Sequence, residues 1–544
     1  MAYDPANPPE SAPAAEAQLR ELIGQNRFQD AMAFAASARA AFPTDPTLAG
    51  LHAYLCLRLG RGEQAMANAT EALRLGAEDA MTLLVLGLAY RGRGRHAEAA
   101  EILLDAHRRF PDQVNIAGLL IEEMVEAHGI EATRPVFDEV FANLPDRDVA
   151  LIWAKALFAA EVDASLPPGI LSAAVMSIAD WLARAGQSPA WIGDREIMRV
   201  ENPPVFGEPA GDPSRIDAEG YIPYACALRG ATIFSHSNLI LMPDGVVLND
   251  TVADPQWGQF LDLPHDKTVI GQRGQRLLLD VGQHPLAEIE AAVMLSGWVS
   301  EHFGHWIPEY LCRLSYLEQH PRFAALPIVV DAGMPPQHLE FLSLLVPNRI
   351  IELPAGSALK VGELIVASPA CFFPVHLKPN HTVPPQNQGG LPIGGFRYLQ
   401  RRVADRLPAP AAHDRKLYLA RKASTWRRLL NEDEVIAALT AQGFEILLPE
   451  TMSIADQIRM YQGASLVVAP NGSSLINAVF APKNLKLLVL SQRGIFNWGT
   501  FYGLMRELDY DLTFFCSGQE TDEKHADYSI DVPSLLAAID SLAD

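Results

Sequence analysis

Cysteine is scarce in this chain, with five among 544 residues, at Cys56, Cys226, Cys312, Cys371 and Cys516. They are odd in number and widely spaced, and no two form a C-x-x-C pair, which argues against a zinc knuckle or a thioredoxin-type centre. The expectation is reduced core residues in a reducing compartment. Long apolar runs are missing too. No stretch of about twenty apolar residues could span a bilayer, and Met1-Ala-Tyr-Asp-Pro5 has no basic region leading into an apolar run. A soluble, cytoplasmic protein is expected. Positive charge is short, with 43 Lys and Arg against 65 Asp and Glu and a net charge of -22. Nonspecific nucleic-acid binding needs clustered cations to neutralise phosphates, so it is excluded. No G-x-G-x-x-G follows an early strand, which counts against a dinucleotide-dependent oxidoreductase. Nor does any Asp-x-Asp close a strand.

What is present is ordinary globular material, 49% hydrophobic and 20% charged, long enough for roughly three or four domains. Disorder is expected only at the ends, as from Pro5 to Pro13. The first pattern is a repeat. Asn26-Arg-Phe-Gln-Asp-Ala31, Gly60-Arg-Gly-Glu-Gln-Ala65 and Gly94-Arg-His-Ala-Glu-Ala99 align with their alanines 34 residues apart, and Pro43 and Pro111 stand two periods apart. Leu86, Gly87 and Tyr90 fit the first helix of such a unit, the glycine letting two helices approach. This resembles the tetratricopeptide repeat, a helix pair that buries its apolar face only by stacking on neighbours. The resemblance covers residues 15–115, and further helical pattern through residues 136–185 is expected to cap the array.

Beyond Gln187 the texture changes. Pro203, Pro204, Pro209 and Pro213 mark a linker, and residues 239–248 read as strand, Pro-Asp-Gly turn, strand. A helix is expected over residues 305–318, strands over 328–331 and 364–367, and a helix over 337–345. Such alternation points to a parallel sheet. A Pro-, Gly- and Asn-rich break over residues 379–395 follows, and the alternation then restarts. Strands are expected over 416–420, 444–448, 466–469 and 485–490. Helices are expected over 431–442, 453–461, 473–480 and 533–542, with Asn431 and Glu434 as a capping pair. The domains are thus helical over 1–186 and α/β over 187–400 and 401–544.

The chemistry gathers in the last part. Leu417-Tyr-Leu-Ala-Arg-Lys422 ends a strand at Arg421, and Arg427 and Arg428 follow in the loop. Carboxyl ends of strands in an open α/β sheet are where phosphorylated ligands sit, and the planar guanidinium suits bidentate phosphate contact. A solvated basic loop is the other reading. Asn471-Gly-Ser-Ser474 joins an apolar strand to a helix, where Gly472 permits positive φ and the helix-start N–H groups of Ser473 and Ser474 can hold an anion. Gly and Ser also serve there simply as a cap. Upstream, Phe303-Gly-His-Trp-Ile-Pro-Glu309 places His305 and Glu309 four apart on one helical face. Glu309 is then a candidate general base, or a surface glutamate beside a structural histidine. A metal site is not expected there, because a third ligand is missing.

Taken in order, His305-Trp306 after Phe303-Gly304, then Arg421, Arg428, Asn431-Glu432, Pro449-Glu450, Gln457 and residues 472–480 resemble glycosyltransferase family 61. The resemblance covers residues 220–500. It implies a GT-B fold of two Rossmann-like halves, 187–400 on the acceptor side and 401–544 on the nucleotide-sugar side. It also implies an inverting mechanism with Glu309 as general base beside His305. A UDP- or GDP-type donor would be held by Arg421, Arg427, Arg428, Asn431, Glu450, Asn471, Gly472, Ser473 and Ser474. No cofactor is obligatory, since arginines can carry the diphosphate, though a divalent cation could accompany the donor. The sequence departs from the family pattern at Asn471, where histidine is usual, at Ser473 for alanine, and at Glu309 for aspartate. The acceptor would be a glycan or protein hydroxyl, docked by the repeats, which could instead mediate self-association. The competing reading is a noncatalytic repeat scaffold or glycan-binding protein with a degenerate transferase domain.

Overall fold

The computed structural model describes residues 10–162, 166–207, 216–254, 258, 261–282, 285–373, 377–379, 381, 390–421, 426–492, 498–516 and 526–543. Lys422, Pro209, Pro213 and most of the break at 379–395 lie outside these residues, as does the N-terminal stretch before residue 10. The chain divides into two compact units, Met1–Ser172 and Ala173–Asp544.

The first unit is a run of antiparallel helices, α1 (Ala12–Gly24), α2 (Phe28–Ala41), α3 (Pro46–Arg58), α4 (Gly62–Arg74), α5 (Ala80–Arg91), α6 (His96–Arg109), α7 (Val114–Asn143) and α8 (Arg147–Ala159). The 34-residue period has a backbone cause. Asn26, Gly60 and Gly94 each take positive φ, at 56°, 72° and 68°, and each stands one residue before the cap of the next helix. Only glycine and, at lower cost, asparagine enter that region readily. The repeated alanines Ala31, Ala65 and Ala99 are fully buried. A Cβ on Gly87 of α5 would lie 2.9 Å from Leu103 of α6, so glycine there sets how closely the pair packs. Pro13, expected in a disordered end, belongs to the first turn of α1, whose cap is Ser11. Proline suits that turn because its missing N–H has no partner to lose.

Among its described residues the second unit holds two main sheets. The smaller has five parallel strands in the spatial order Glu445–Leu447, Arg415–Leu419, Ala464–Pro470, Lys486–Ser491 and Asp511–Cys516. The larger has eleven strands and is mixed, not parallel throughout as expected. Leu286–Met294, Ile328–Asp331, Ile350–Leu353 and Ala358–Ala367 run parallel, but Tyr224–Phe234 is antiparallel to Ala358–Ala367. Residues 224–248 reverse through tight turns, Gly245 taking φ 81° in the Pro-Asp-Gly turn. Parallel pairing needs a long crossover that such turns do not supply. The helical reading of 136–185 also fails in part. Ile170–Met176 is a strand of this sheet, pairing with Val247–Leu248, before the helix Ile178–Arg184.

One apolar core lies against both sheets. It joins Trp306, Tyr310 and Leu311 to Phe341, Phe396 and Leu399, and these to Leu417, Val467 and Val489. The helix Ile393–Arg406 begins inside the stretch read as a break. A Cβ on its Gly395 would come within 2.6 Å of Cys312 Cβ, so this glycine is a packing device rather than a turn signal. All five cysteines are free, four of them buried and Cys516 partly so. Among the described residues no helix is long and apolar enough to cross a membrane.

Candidate active site

The carboxyl ends of strands from both sheets meet at one cavity of about 430 Å³, within the size range of small-molecule sites. The smaller sheet contributes Leu419, Ala420, Arg421, Pro449, Glu450, Pro470, Gly472, Ser473 and Ser474, with Gln457 behind them. From the larger sheet come Glu301 and Phe303, then Pro335, Gln337 and His338 at the start of the helix Pro336–Leu345. A second space of about 160 Å³ shares Gly472 and Ser473 and is walled by Gly304, Phe373, Leu391 and Phe501.

Arg421 follows its strand directly, and Glu432 fixes the turn by accepting from Arg421 N at 3.0 Å and from the Tyr418 hydroxyl at 3.0 Å. Its guanidinium donates to the Asn471 carbonyl at 2.9 Å. Arg427 is half-buried at φ 55°, with Nε fully enclosed and unpartnered among the described residues. Burial depresses both arginines, and Arg421's charge depresses Arg427 further. Two half-buried guanidiniums that repel each other favour an anion between them. Arg428 stands apart. Its Nε and Nη2 both donate to Asp527 Oδ2, at 3.0 and 2.6 Å, its main-chain N–H donates to Oδ1 at 2.8 Å, and its side chain is 61% exposed. The pair holds the Asp527 carboxyl below its usual range. Asn431 is also occupied elsewhere. It exchanges two hydrogen bonds with the Ile530 main chain and donates to Glu434, and its side chain makes no cap bond.

Gly472 corrects an expectation. Its φ is -171°, extended backbone open to any residue, so positive φ is not its reason. A Cβ there would sit 3.6 Å from the Arg421 guanidinium, in ordinary contact. The helix it begins, Ser473–Phe480, is a 3-10 helix without a side-chain cap. Its register is held from beneath. Buried Gln457 donates to the Pro449 carbonyl at 2.9 Å and accepts from Asn477 at 3.0 Å, and the Tyr461 hydroxyl donates to the Ser474 carbonyl. The Asn471 side-chain nitrogen is buried without a partner among the described residues.

His305 and Glu309 are in contact, Nδ1 against Oε1. The helical segment carrying them is irregular, with a π turn over Trp306–Tyr310 between short α and 3-10 pieces, a distortion frequent at functional sites. Glu309 is 3% exposed and His305 20%. Glu309 faces a small polar enclosure with Asn238, Thr251 and Arg313, whereas the His305 ring meets Phe373 edge-on at 5.7 Å. Asp331 fixes the approach to this segment, accepting from Gly297 N at 2.8 Å and the Ser300 hydroxyl at 2.6 Å. Gly304 brings the segment against the other sheet, since a Cβ there would lie 2.9 Å from the Ser473 hydroxyl oxygen. Gln337 spans the same junction, donating to the Glu450 carbonyl at 3.3 Å. Gln337, His338 and Phe373 were not foreseen. The signal was available for the first two, because Pro335-Pro336 opens a helix just after an apolar strand. Among the described residues no three His, Cys, Asp or Glu side chains form a metal-binding group.

The site is thus built on strand ends of two sheets, with Arg421 on one wall and the His305/Glu309 pair on the adjoining segment. Residues 303–488 match the family model described as glycosyltransferase 61, so the chain carries a glycosyltransferase 61 domain. No curated protein matches the sequence. Among solved structures, the helical region is similar to YrrB, a tetratricopeptide-repeat protein with an unusual peptide-binding site, at 16% identity and TM-score 0.26 over 28% of this chain and 80% of that one. It is also similar to pilF of Pseudomonas aeruginosa, at 16% identity and TM-score 0.25 over 28% and 69% of the two chains. A third is a thermophilic tetratricopeptide-repeat protein of Thermus thermophilus, at 17% identity and TM-score 0.24 over 28% and 84%.

Proposed function

We propose that the protein is an inverting glycosyltransferase that moves a sugar from a UDP- or GDP-type donor to a hydroxyl of a glycan or protein. The observation that carries this reading is the meeting of Arg421 and the start of the 3-10 helix with the His305/Glu309 segment, through the Gly304 contact on Ser473. The α/β part, 187–400 and 401–544, acts as a GT-B-type pair whose strand ends face one cleft. Arg421 and Arg427 neutralise the diphosphate together with the free N–H groups of Ser473 and Ser474. Glu450 lines the nucleoside side, and Asn471 acts from behind it by holding Arg421 through its carbonyl. Arg428 and Asn431 serve this site indirectly, by holding the loop that carries Arg427.

The reaction is a single displacement. The acceptor oxygen bonds to the anomeric carbon as the bond from that carbon to phosphate breaks, and the electron pair leaves with the nucleoside diphosphate. The acceptor proton passes to the His305/Glu309 pair, with His305 as the more exposed member and Glu309 as the base that bears the charge. The acceptor enters by the space that Gly304 and Phe373 wall, and the helical repeats bind the protein or polymer that carries it. Incubation of the purified chain with a panel of UDP- and GDP-sugars, read as nucleoside diphosphate release, tests the proposal. Release from at least one donor is expected, together with thermal stabilisation by the matching nucleotide. Absence of both across the panel would leave a scaffold with a degenerate domain.

A further inference from the structure

His338 lies at the third position of the helix Pro336–Leu345, on the cavity wall that comes from the larger sheet, with Arg421 and Gly472 among the residues lining that cavity from the smaller one. It is 1% exposed, and neither ring nitrogen has a hydrogen-bond partner among the described residues. Its main chain is fixed, because the Trp306 indole donates to the His338 carbonyl at 3.2 Å. The ring is held as well, edge-on to Phe303 at 5.6 Å and tilted on Trp306 at 5.7 Å. Buried polar atoms are paired as a rule, and leaving one unpaired costs stability. A phenyl ring would fill the same space at no such cost, so packing does not account for two nitrogens here.

The chemistry of the missing partner follows from the charge of the ring. Burial, with the nearby positive charge of His302, pushes the imidazole down to about 4. At neutral pH it therefore offers one N–H and one lone pair. Phosphate oxygens only accept, and their counter-charge is Arg421 of the facing wall. A hydroxyl both donates and accepts, which matches the neutral ring. Within a nucleotide sugar the hydroxyl-rich part must also lie near His305, and Phe303, which touches His338, is two residues from it. The nucleoside has its own wall in Leu419, Ala420, Pro449 and Glu450.

We propose that His338 reads a hydroxyl of the sugar being transferred and so sets the choice of donor sugar. This rests on the nucleotide-sugar reading of the cavity. The test compares wild type with His338→Phe and His338→Leu, using UDP, GDP, UDP-glucose, UDP-N-acetylglucosamine, UDP-xylose and GDP-mannose, followed by deoxy analogues of the best donor. Both variants should melt at a higher temperature than wild type, because two buried unpaired nitrogens are gone. Affinity for the free nucleoside diphosphate should stay within about twofold, while affinity for the best nucleotide sugar drops roughly 10-fold, as for one lost hydrogen bond. The analogue lacking the recognised hydroxyl should bind wild type and variants alike.

Equal losses for the nucleoside diphosphate and the nucleotide sugar would overturn the proposal and assign His338 to the nucleoside. Unchanged sugar discrimination in a folded variant would overturn it in favour of packing. If wild type binds no nucleoside diphosphate at all, the donor-cleft reading falls and takes this one with it. An Arg421→Ala control separates the cases, since it should weaken nucleoside diphosphate and nucleotide sugar together.

Discussion

Three arginines close together in sequence have different surroundings, and each surrounding sets a use. Arg421 is committed at one nitrogen to a carbonyl and keeps the rest of its fork for the cavity. Arg427 is half-buried and short of a partner. Arg428 is exposed and already satisfied by Asp527. Arg421→Ala should therefore weaken nucleotide binding by roughly 10- to 150-fold, the loss of a charge-assisted bond of about 1.5–3 kcal/mol. Arg428→Ala should leave it nearly unchanged. Titration of both variants with UDP and GDP checks this, and equal losses would return Arg428 to the donor site. The same logic applies to Glu309, enclosed and joined to His305. Glu309→Gln keeps the shape but removes the charge, so turnover should fall roughly 100- to 10,000-fold with donor affinity preserved. Single-turnover rates beside binding constants decide it. His338 adds a pH signature. Its folded value of about 4 lies below the ordinary 6.5, so the unfolded chain takes up the proton first as acid is added. Stability that is present above pH 6.5 is lost progressively down to about 4, at up to about 1.4 kcal/mol per pH unit. The gap in denaturant midpoint between His338→Phe and wild type should widen across that window and be constant above it.

At the scale of elements, the sequence made the type of most segments legible, because apolar runs and helical periods carry that information locally. The repeat turns at Asn26, Gly60 and Gly94 were readable for the same reason. What was not legible depends on contacts distant in sequence. Ile170–Met176 became a strand because Val247–Leu248 offers it a partner. The π distortion over Trp306–Tyr310 lies in a segment whose approach is fixed by Asp331 through Gly297 and Ser300, and which meets Ser473 at Gly304. The strand-to-helix position of Gly472 suggests a positive-φ turn that its extended backbone does not make, while the glycine whose missing side chain matters most to the site is Gly304. A methyl at Gly304 would lie 2.9 Å from the Ser473 hydroxyl oxygen, which can rotate away, and 3.3 Å from its Cβ, which must move by a few tenths of an ångström. Gly304→Ala should lower turnover by about 10-fold or more, as small misplacements of reacting groups do, while nucleotide binding at Arg421 changes little. Parallel measurement of turnover and nucleotide affinity tests this, and normal turnover would mean that the contact is slack.

The molecule as a whole combines a stacked helical array with an α/β unit, and the place to separate them follows from sheet pairing rather than from composition. Composition shifts at Gln187, but the second unit begins at Ala173, within the strand Ile170–Met176, and includes the helix Ile178–Arg184. Val175 and Met176 pair with Val247 and Leu248, and Ile178 and Leu182 are buried in the core with Leu228, Ile233 and Val366. A chain beginning at Pro167 keeps all of these, whereas one beginning at Gln187 removes a strand from within the sheet and two buried apolar side chains. Each such side chain contributes about 1.5–3 kcal/mol when buried, against a total stability of about 5–15 kcal/mol. The chain from Pro167 should therefore fold, bind UDP or GDP like the full chain, and release nucleotide slowly from the donor. The chain from Gln187 should be insoluble or melt at a much lower temperature. Circular dichroism melts and nucleotide titration of both distinguish them. If the repeats dock the acceptor, the chain from Pro167 should keep donor hydrolysis and lose transfer to a protein or polymer acceptor, while transfer to a small soluble glycoside persists. Undiminished transfer to the large acceptor would place acceptor choice in the cleft around His305 and leave the repeats for assembly.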